Sequence, residues 1–279
     1  MIIDTHAHLN FSAYKSDLNE VVERCVKEKI WVVNVGSQYD TSKRAMEIAE
    51  KYGKGFFASI GLHPLHLQAG LVKIKEDLQE TQFVSREEKF DPDRYKDLAE
   101  SKKVVAIGEA GFDYYWKPKT KKKLEIFKKS QEEALSGQFL LAKELALPFI
   151  LHCRMAHQNL ISFLEENEKI RPERAIVHSF VGTEEQLKKY LGFGYHIGLN
   201  GIIFKSISGI DFAKIISNIP LDKMMVETDC PYLAPPGLKE RNEPVFVKYV
   251  IERISEIKGI SIKEVEERTF ENAREFFNI

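Results

Sequence analysis

Short apolar runs rich in β-branched residues recur along the chain, and longer segments between them bring apolar residues back at helical spacing. The runs predict strands at Ile2–Asp4, Trp31–Val35, Gly55–Ile60, Val104–Ile107, Phe149–Leu151, Ala175–Val177, Tyr195–Gly198 and Met224–Glu227. Helices are predicted between most of them. Asp17–Lys29 is amphipathic and opens with Asp-x-x-Glu, a variant of the capping box. Thr41–Lys51 reads similarly, and Lys121–Leu145 is long and amphipathic, with Pro148 beyond its end. Thr183-x-x-Gln186 and Ser261-x-x-Glu264 match the capping box, and Gly192 suits a helix C-terminus. The most irregular stretch, Gln68–Glu100, carries a charged segment, Glu80–Arg94, with Phe83 and Phe90 inside. It reads as a surface excursion after the third strand, a solvated loop with a helix in preference to a substrate lid.

Alternating strands and helices favour a parallel sheet, either a closed barrel or an open doubly wound sheet. Eight strands, with polar residues at their ends, favour an α/β fold of the (β/α)8 TIM-barrel type. Such a barrel needs about 250 residues, so the 279 present fit one domain spanning 1–279. No domain boundary, internal repeat or low-complexity tract interrupts it.

The chemistry lies where the strands end. Strand one runs into His6 and His8, two apart and therefore on the same face. Strand four runs into Gly108-Glu109, strand five into His152, strand six into His178, and strand eight into Glu227-Thr228-Asp229. In a barrel these ends share the C-terminal mouth, where active sites form. His6, His8, Glu109, His152, His178 and Asp229 are therefore candidate metal ligands. Unpaired carboxylates are costly to bury, and such a cluster exists to bind cations. Six ligands exceed one tetrahedral site, so two divalent ions are expected, with Glu109 as the bridge. Each residue has an ordinary alternative: a hydrogen-bonded histidine, a loop start at Glu109, a turn cap at Asp229. Their coincidence on several strand ends outweighs those alternatives.

Other polar residues follow the same strands. His63, in Gly61-x-His63-Pro64, reads as a substrate or phosphate contact ahead of a ligand or structural role. Arg154 either faces an anionic substrate or makes a surface ion pair, and Arg241 either reaches a phosphate or holds its loop. Glu227, two before Asp229, reads as support behind a metal-bound histidine. Phe112, Tyr114, Tyr115 and Trp116 follow Glu109 and either pack or stack bases.

Composition narrows the class. The chain is 43% hydrophobic and 30% charged, as in globular proteins, and its net charge of -1 leaves no global basic face for nucleic acid. Any DNA or RNA contact must be local. Cys25, Cys153 and Cys230 are far apart, which argues against a disulfide framework, and no apolar run approaches the ~18 residues of a membrane span. A cytoplasmic monomer with no membrane contact is expected.

The segments Asp4-Thr5-His6-Ala7-His8-Leu9, Gly61-Leu62-His63-Pro64, Ala106 to Tyr114, His152-Cys153-Arg154, His178-Ser179-Phe180, Glu227 to Pro235 and Arg241-Asn242-Glu243-Pro244 run in order through nearly the whole chain. Together they resemble the TatD-type metal-dependent deoxyribonucleases, within the amidohydrolase-like TIM barrels. The resemblance implies a phosphodiesterase acting on DNA, an exonuclease, with the same six metal ligands and His63 on the substrate side. The chain departs from the family pattern at Met155, in Ala234 to Glu240, in the segment after His178 and in the length of the 68–100 excursion. None of these touches a candidate ligand, so they bear on substrate choice.

The expected chemistry is hydrolysis assisted by divalent ions: zinc, manganese or magnesium. Asp229 would accept the water's proton as well as bind metal, Glu109 would be catalytic as the bridging carboxylate, and His63 and Arg154 would orient or stabilise the phosphate. The rival within enzymes is hydrolysis of a small amide, lactone or phosphoester, because such barrels host many reactions. A non-catalytic metal scaffold is disfavoured by the intact ligand set, and a binding module without chemistry by the neutral charge.

Overall fold

A computed structural model describes residues 1–68, 87–238 and 241–279. The eight strands form one sheet in sequence order, with every neighbouring pair parallel. They are β1 (Ile2–Ala7), β2 (Ile30–Val35), β3 (Phe56–Ile60), β4 (Val104–Asp113), β5 (Phe149–Arg154), β6 (Ala175–Val177), β7 (His196–Leu199) and β8 (Met224–Val226). The last seam closes just beyond β8. Ala7 bridges Cys230, the Asp229 N–H donates to His6 O at 2.8 Å, and the His8 N–H donates to Cys230 O at 2.9 Å. The result is a nearly closed parallel barrel with helices between its strands.

Among the described residues the α-helices are α1 (Leu18–Lys27), α2 (Tyr39–Tyr52), α3 (Pro92–Leu98), α4 (Lys121–Glu144), α5 (His157–Glu166), α6 (Glu184–Gly192), α7 (Phe212–Asn218), α8 (Val247–Lys258) and α9 (Ile262–Phe277). Alternate strand residues divide the core into two layers. Outward residues such as Val32, Leu151, Val177 and Val226 pack against the helices. Inward residues Ile3, Val33, Val105, Ile150, Ile176 and Met225 pack together inside, joined by Phe276 and Phe277 of α9. Arg174, just before β6, donates to Phe276 O, so the end of α9 lies at the N-terminal end of the barrel. The opposite end is left to the site.

Several boundaries differ from the sequence reading, each for a local reason. β4 does not stop at Ile107 but continues to Asp113, through a register shift between Ile107 and Ala110. Glycine permits this: a Cβ on Gly111 would lie 1.9 Å from His152 O, and one on Gly108 2.5 Å from Ile150 O. The Asp17 side chain makes no cap bond to α1, because its carboxylate is paired with Arg241. A charge-assisted pair of this kind outcompetes a cap bond to a neutral N–H. Gly192 is the last residue of α6, and the left-handed turn after it falls to Gly194 (φ +81°). The Thr183–Gln186 capping box forms as read, whereas at Ser261 only half of the expected box is present, the Ser261 hydroxyl accepting the Glu264 N–H. Residues 69–86 of the 68–100 excursion, with Phe83, lie outside the described residues, as do Lys239 and Glu240. The excursion's described end forms α3, with Phe90 packed on Tyr95.

Candidate metal centre

The parity that buries Ile150, Ile176 and Met225 lower in the barrel brings the residues two further on, His152, His178 and Glu227, to the mouth. His6 and His8 arrive from the end of β1, and Glu109 from the shifted part of β4. Asp229 follows β8 in a left-handed conformation (φ +58°), which an aspartate tolerates better than most residues.

These side chains converge. His6 Nε2 lies 3.2 Å from His8 Nε2 and 3.4 Å from Glu109 Oε2. Glu109 Oε1 lies 2.6 Å from His152 Nδ1 and 3.7 Å from both His178 Nε2 and His63 Nε2. Asp229 Oδ1 lies 3.3, 3.8 and 3.9 Å from Nε2 of His8, His178 and His6. Glu109 is thus central, with one oxygen toward His6 and the other toward His152, His63 and His178. All six candidate ligands named from the sequence meet here, together with His63.

Partners behind the rings fix which nitrogen faces inward. His8 Nδ1 lies 2.8 Å from Val35 O, a carbonyl that can only accept, so Nδ1 donates and the neutral ring presents a lone pair at Nε2. His178 Nδ1 is backed by Glu227 Oε1 at 2.9 Å, and that carboxylate is held by the Ser179 N–H and Asn200 Nδ2. His152 Nε2 is backed by Asp113 Oδ2 at 3.3 Å, which turns Nδ1 toward Glu109. Carboxylates and carbonyls in this position are what orient metal-binding histidines. The His6 and His8 Nε2 atoms face each other at hydrogen-bond distance, and buried His6 Nδ1 has no partner among the described residues. Buried nitrogens and carboxylate oxygens grouped within 4.8 Å of one another fit a divalent cation.

The electrostatics agree. Burial raises the cost of charge on Glu109, yet the histidines around it hold its carboxyl well below the usual range. Burial also opposes charge on His178 and His152. Glu227, Glu109 and Asp229 nevertheless push His178 up to about 10, and Glu109 with Asp113 pushes His152 up to about 9. The carboxylates of the cluster thus favour positive charge among these rings.

His63 differs. Its Nδ1 accepts the Leu65 N–H at 3.1 Å, so the proton of the neutral ring sits on Nε2. Burial, with His152 next, lowers its pKa to about 3 and keeps it neutral. It is a hydrogen-bond donor facing the cluster, although it stands near Glu109 and His152 as a ligand would. Arg154, at the end of β5, is exposed and lies over the Tyr115 ring at 3.9 Å. Arg241 is not brought to the cluster. Its guanidinium pairs with both oxygens of Asp17, touches Ala13 O and Glu243, and lies over Tyr14. The phosphate role considered for it gives way to the loop-holding one. Its neighbour Asn242 donates to Thr228 O at 3.0 Å and Tyr232 O at 2.6 Å, clamping the segment that carries Asp229.

Sequence reasoning missed Asp113, Asp4 and Asn242. Asp113 was detectable, since it stands four residues after Glu109 and shares its face if the strand continues. Asp4 accepts the His6 N–H, the Thr228 N–H and the Thr228 hydroxyl, joining β1 to the Asp229 segment. That partnership, 224 residues apart, leaves no local signal.

A parallel barrel with histidines and carboxylates gathered at its C-terminal mouth defines a metal-dependent hydrolase. Comparison with known proteins narrows this: the model of the family described as TatD related DNase matches residues 3–278, and the chain belongs to that family. A metal-dependent hydrolase of Bacillus subtilis, YabD, is 37% identical over 282 residues covering all of both chains. The protein named 3'-5' ssDNA/RNA exonuclease TatD from Pectobacterium atrosepticum is 30% identical over 284 residues, again covering all of both. The crystal structure of YJJV, a TatD homologue from Escherichia coli, superposes with a TM-score of 0.82 at 25% identity, covering 100% of this chain and 98% of that one. Among the described residues no helix is long and apolar enough to cross a membrane.

Proposed function

We propose that this chain is an exonuclease that removes nucleotides from single-stranded DNA by hydrolysing the terminal phosphodiester. The observation that carries this is the convergence of His6, His8, His152, His178 and Asp229 on Glu109, with a neutral hydrogen-bond donor, His63, facing the same carboxylate. Two divalent ions would be held, His6, His8 and Asp229 on one side and His152 and His178 on the other, with Glu109 shared. Imidazole-rich ligation suits zinc or manganese, and a phosphate substrate admits magnesium. Such ions polarise phosphoryl oxygens and make a water nucleophilic near neutral pH.

The remaining work falls to side chains. Asp229 accepts the proton of the attacking water at a carboxylate oxygen. Glu227 and Asp113 keep the His178 and His152 rings oriented. His63 donates from Nε2 to a phosphoryl oxygen, and Arg154 supplies positive charge at the rim. The names of the relatives, which include a 3'-5' ssDNA/RNA exonuclease, support this choice of substrate. Three buried free cysteines suit the cytoplasm.

The test uses metal-stripped protein and single-stranded DNA labelled at its 5' end, with magnesium, manganese or zinc added in turn, beside Glu109→Ala. Stepwise shortening that requires metal and Glu109 is expected. Intact DNA with every metal, from protein that still takes up divalent ions, would favour hydrolysis of a small ester or lactone.

A further inference from the structure

We infer that the connection between β4 and α4 together with the first turn of α4, residues 114–123, is a docking strip for the upstream backbone of the single strand whose end is at the metal centre. The inference rests on the nuclease reading and adds how the strand is held. The segment reads Tyr-Tyr-Trp-Lys-Pro-Lys-Thr-Lys-Lys-Lys, with five lysines and no acidic residue in a chain of net charge -1. It is the local basic footprint that a near-neutral nucleic-acid enzyme needs.

The lysines are free to act. Lys117, Lys119 and Lys121 to Lys123 are exposed, and none makes an ion pair among the described residues. Some surface lysines are paired, as in Lys96 with Glu144 and Lys189 with Glu165, and others, such as Lys27 and Lys54, make no ion pair among the described residues, but here five unpaired lysines fall within seven residues. Three of the five occupy the first turn of α4, which holds no acidic residue. Positive charge is unfavourable at that end of a helix, so helix stability does not explain them.

The strip starts at the centre itself. Asp113, whose Oδ2 backs His152, accepts the N–H groups of Tyr115 and Trp116 through Oδ1 at 2.9 and 3.0 Å. Tyr115 is 48% exposed, carries the Arg154 guanidinium over its ring and meets Trp116 edge-on at 5.1 Å. An exposed ring beside a cation, followed by unpaired lysines, matches successive bases and phosphates of an unpaired strand.

The test measures binding of labelled 20-nucleotide DNA and RNA strands of one sequence to the metal-stripped full chain across a salt series. The wild type is compared with a variant carrying Lys117→Ala, Lys119→Ala, Lys121→Ala, Lys122→Ala and Lys123→Ala, and with Tyr115→Ala. Hydrolysis of a dinucleotide by the metal-loaded proteins is followed in parallel. The five-lysine variant should bind both strands more weakly, its salt slope smaller by about 0.7 per lost phosphate contact. Tyr115→Ala should weaken binding about tenfold. The five-lysine variant should hydrolyse the dinucleotide like wild type. Unchanged affinity and slope would overturn the docking strip even if the strands are still shortened, and so would loss of dinucleotide hydrolysis in step with strand binding. Wild-type protein that binds strands through these lysines but hydrolyses no phosphodiester with any metal would keep the strip and overturn the nuclease reading.

Discussion

The lower and upper halves of the barrel interior are built from the same strands, one pleat apart. Below, Ile150, Ile176 and Met225 fill the space with hydrocarbon and close it with Phe276 and Phe277. Above, His152, His178 and Glu227 fill it with ionisable groups that face one another. The lower half stabilises by removing apolar surface from water, and the upper half carries buried charge that favours folding only when countered. Stability and chemistry are thus segregated along the barrel axis, and substitutions in the two halves should have opposite signatures.

The largest expected effect tests the lower half. Ile176→Ala removes a side chain that is 1% exposed and should cost about 2–5 kcal/mol of unfolding free energy, read by denaturant titration. Metal uptake by the folded fraction should not change. Loss of uptake out of proportion to unfolding would show that the halves are not separable.

A second prediction compares histidines. At the mouth, carboxylates raise His178 and His152, whereas in the outer layer burial depresses His157, beside Tyr190, from 6.5 to about 4. His157 is therefore neutral in the fold and protonates first in the unfolded chain. Its stabilising contribution is present above pH 6.5 and is lost as pH falls toward about 4. The loss amounts to about 3 kcal/mol. Unfolding free energy measured between pH 7 and pH 4 should fall, and His157→Gln should flatten that decline. An equal decline in both proteins would assign it to other groups.

The smallest effect belongs to the support behind the rings. Asp113→Asn should weaken metal affinity by about 10–100-fold with little change in unfolding temperature. A calorimetric metal titration beside a thermal melt separates these outcomes, and a large drop in the melt with unchanged affinity would make Asp113 a purely structural residue.

The same comparison explains what could be read from the sequence. The barrel and the six converging residues were legible because strand parity and strand ends are local properties: His6 and His8 are two apart, and an apolar run points directly at His152 or His178. Asp113 was missed because glycine lets β4 slip past His152 and run on to residue 113, and no propensity rule extends a strand through Gly108 and Gly111. Arg241 was open between two roles because the partner that decides it, Asp17, is 224 residues away. Asp4 escaped for the same reason, and Asn242 because the irregular segment between it and its partners Thr228 and Tyr232 carries no periodic signal.

The most direct measurement of the mouth as a cation site is calorimetric titration of manganese into metal-stripped wild type and Glu109→Ala, in two buffers of different protonation enthalpy. Two ions per chain should enter the wild type with release of protons from the His178 and His152 region, and uptake should fall sharply in Glu109→Ala. Equal uptake by the two proteins, without proton release, would contradict the cluster as a metal centre.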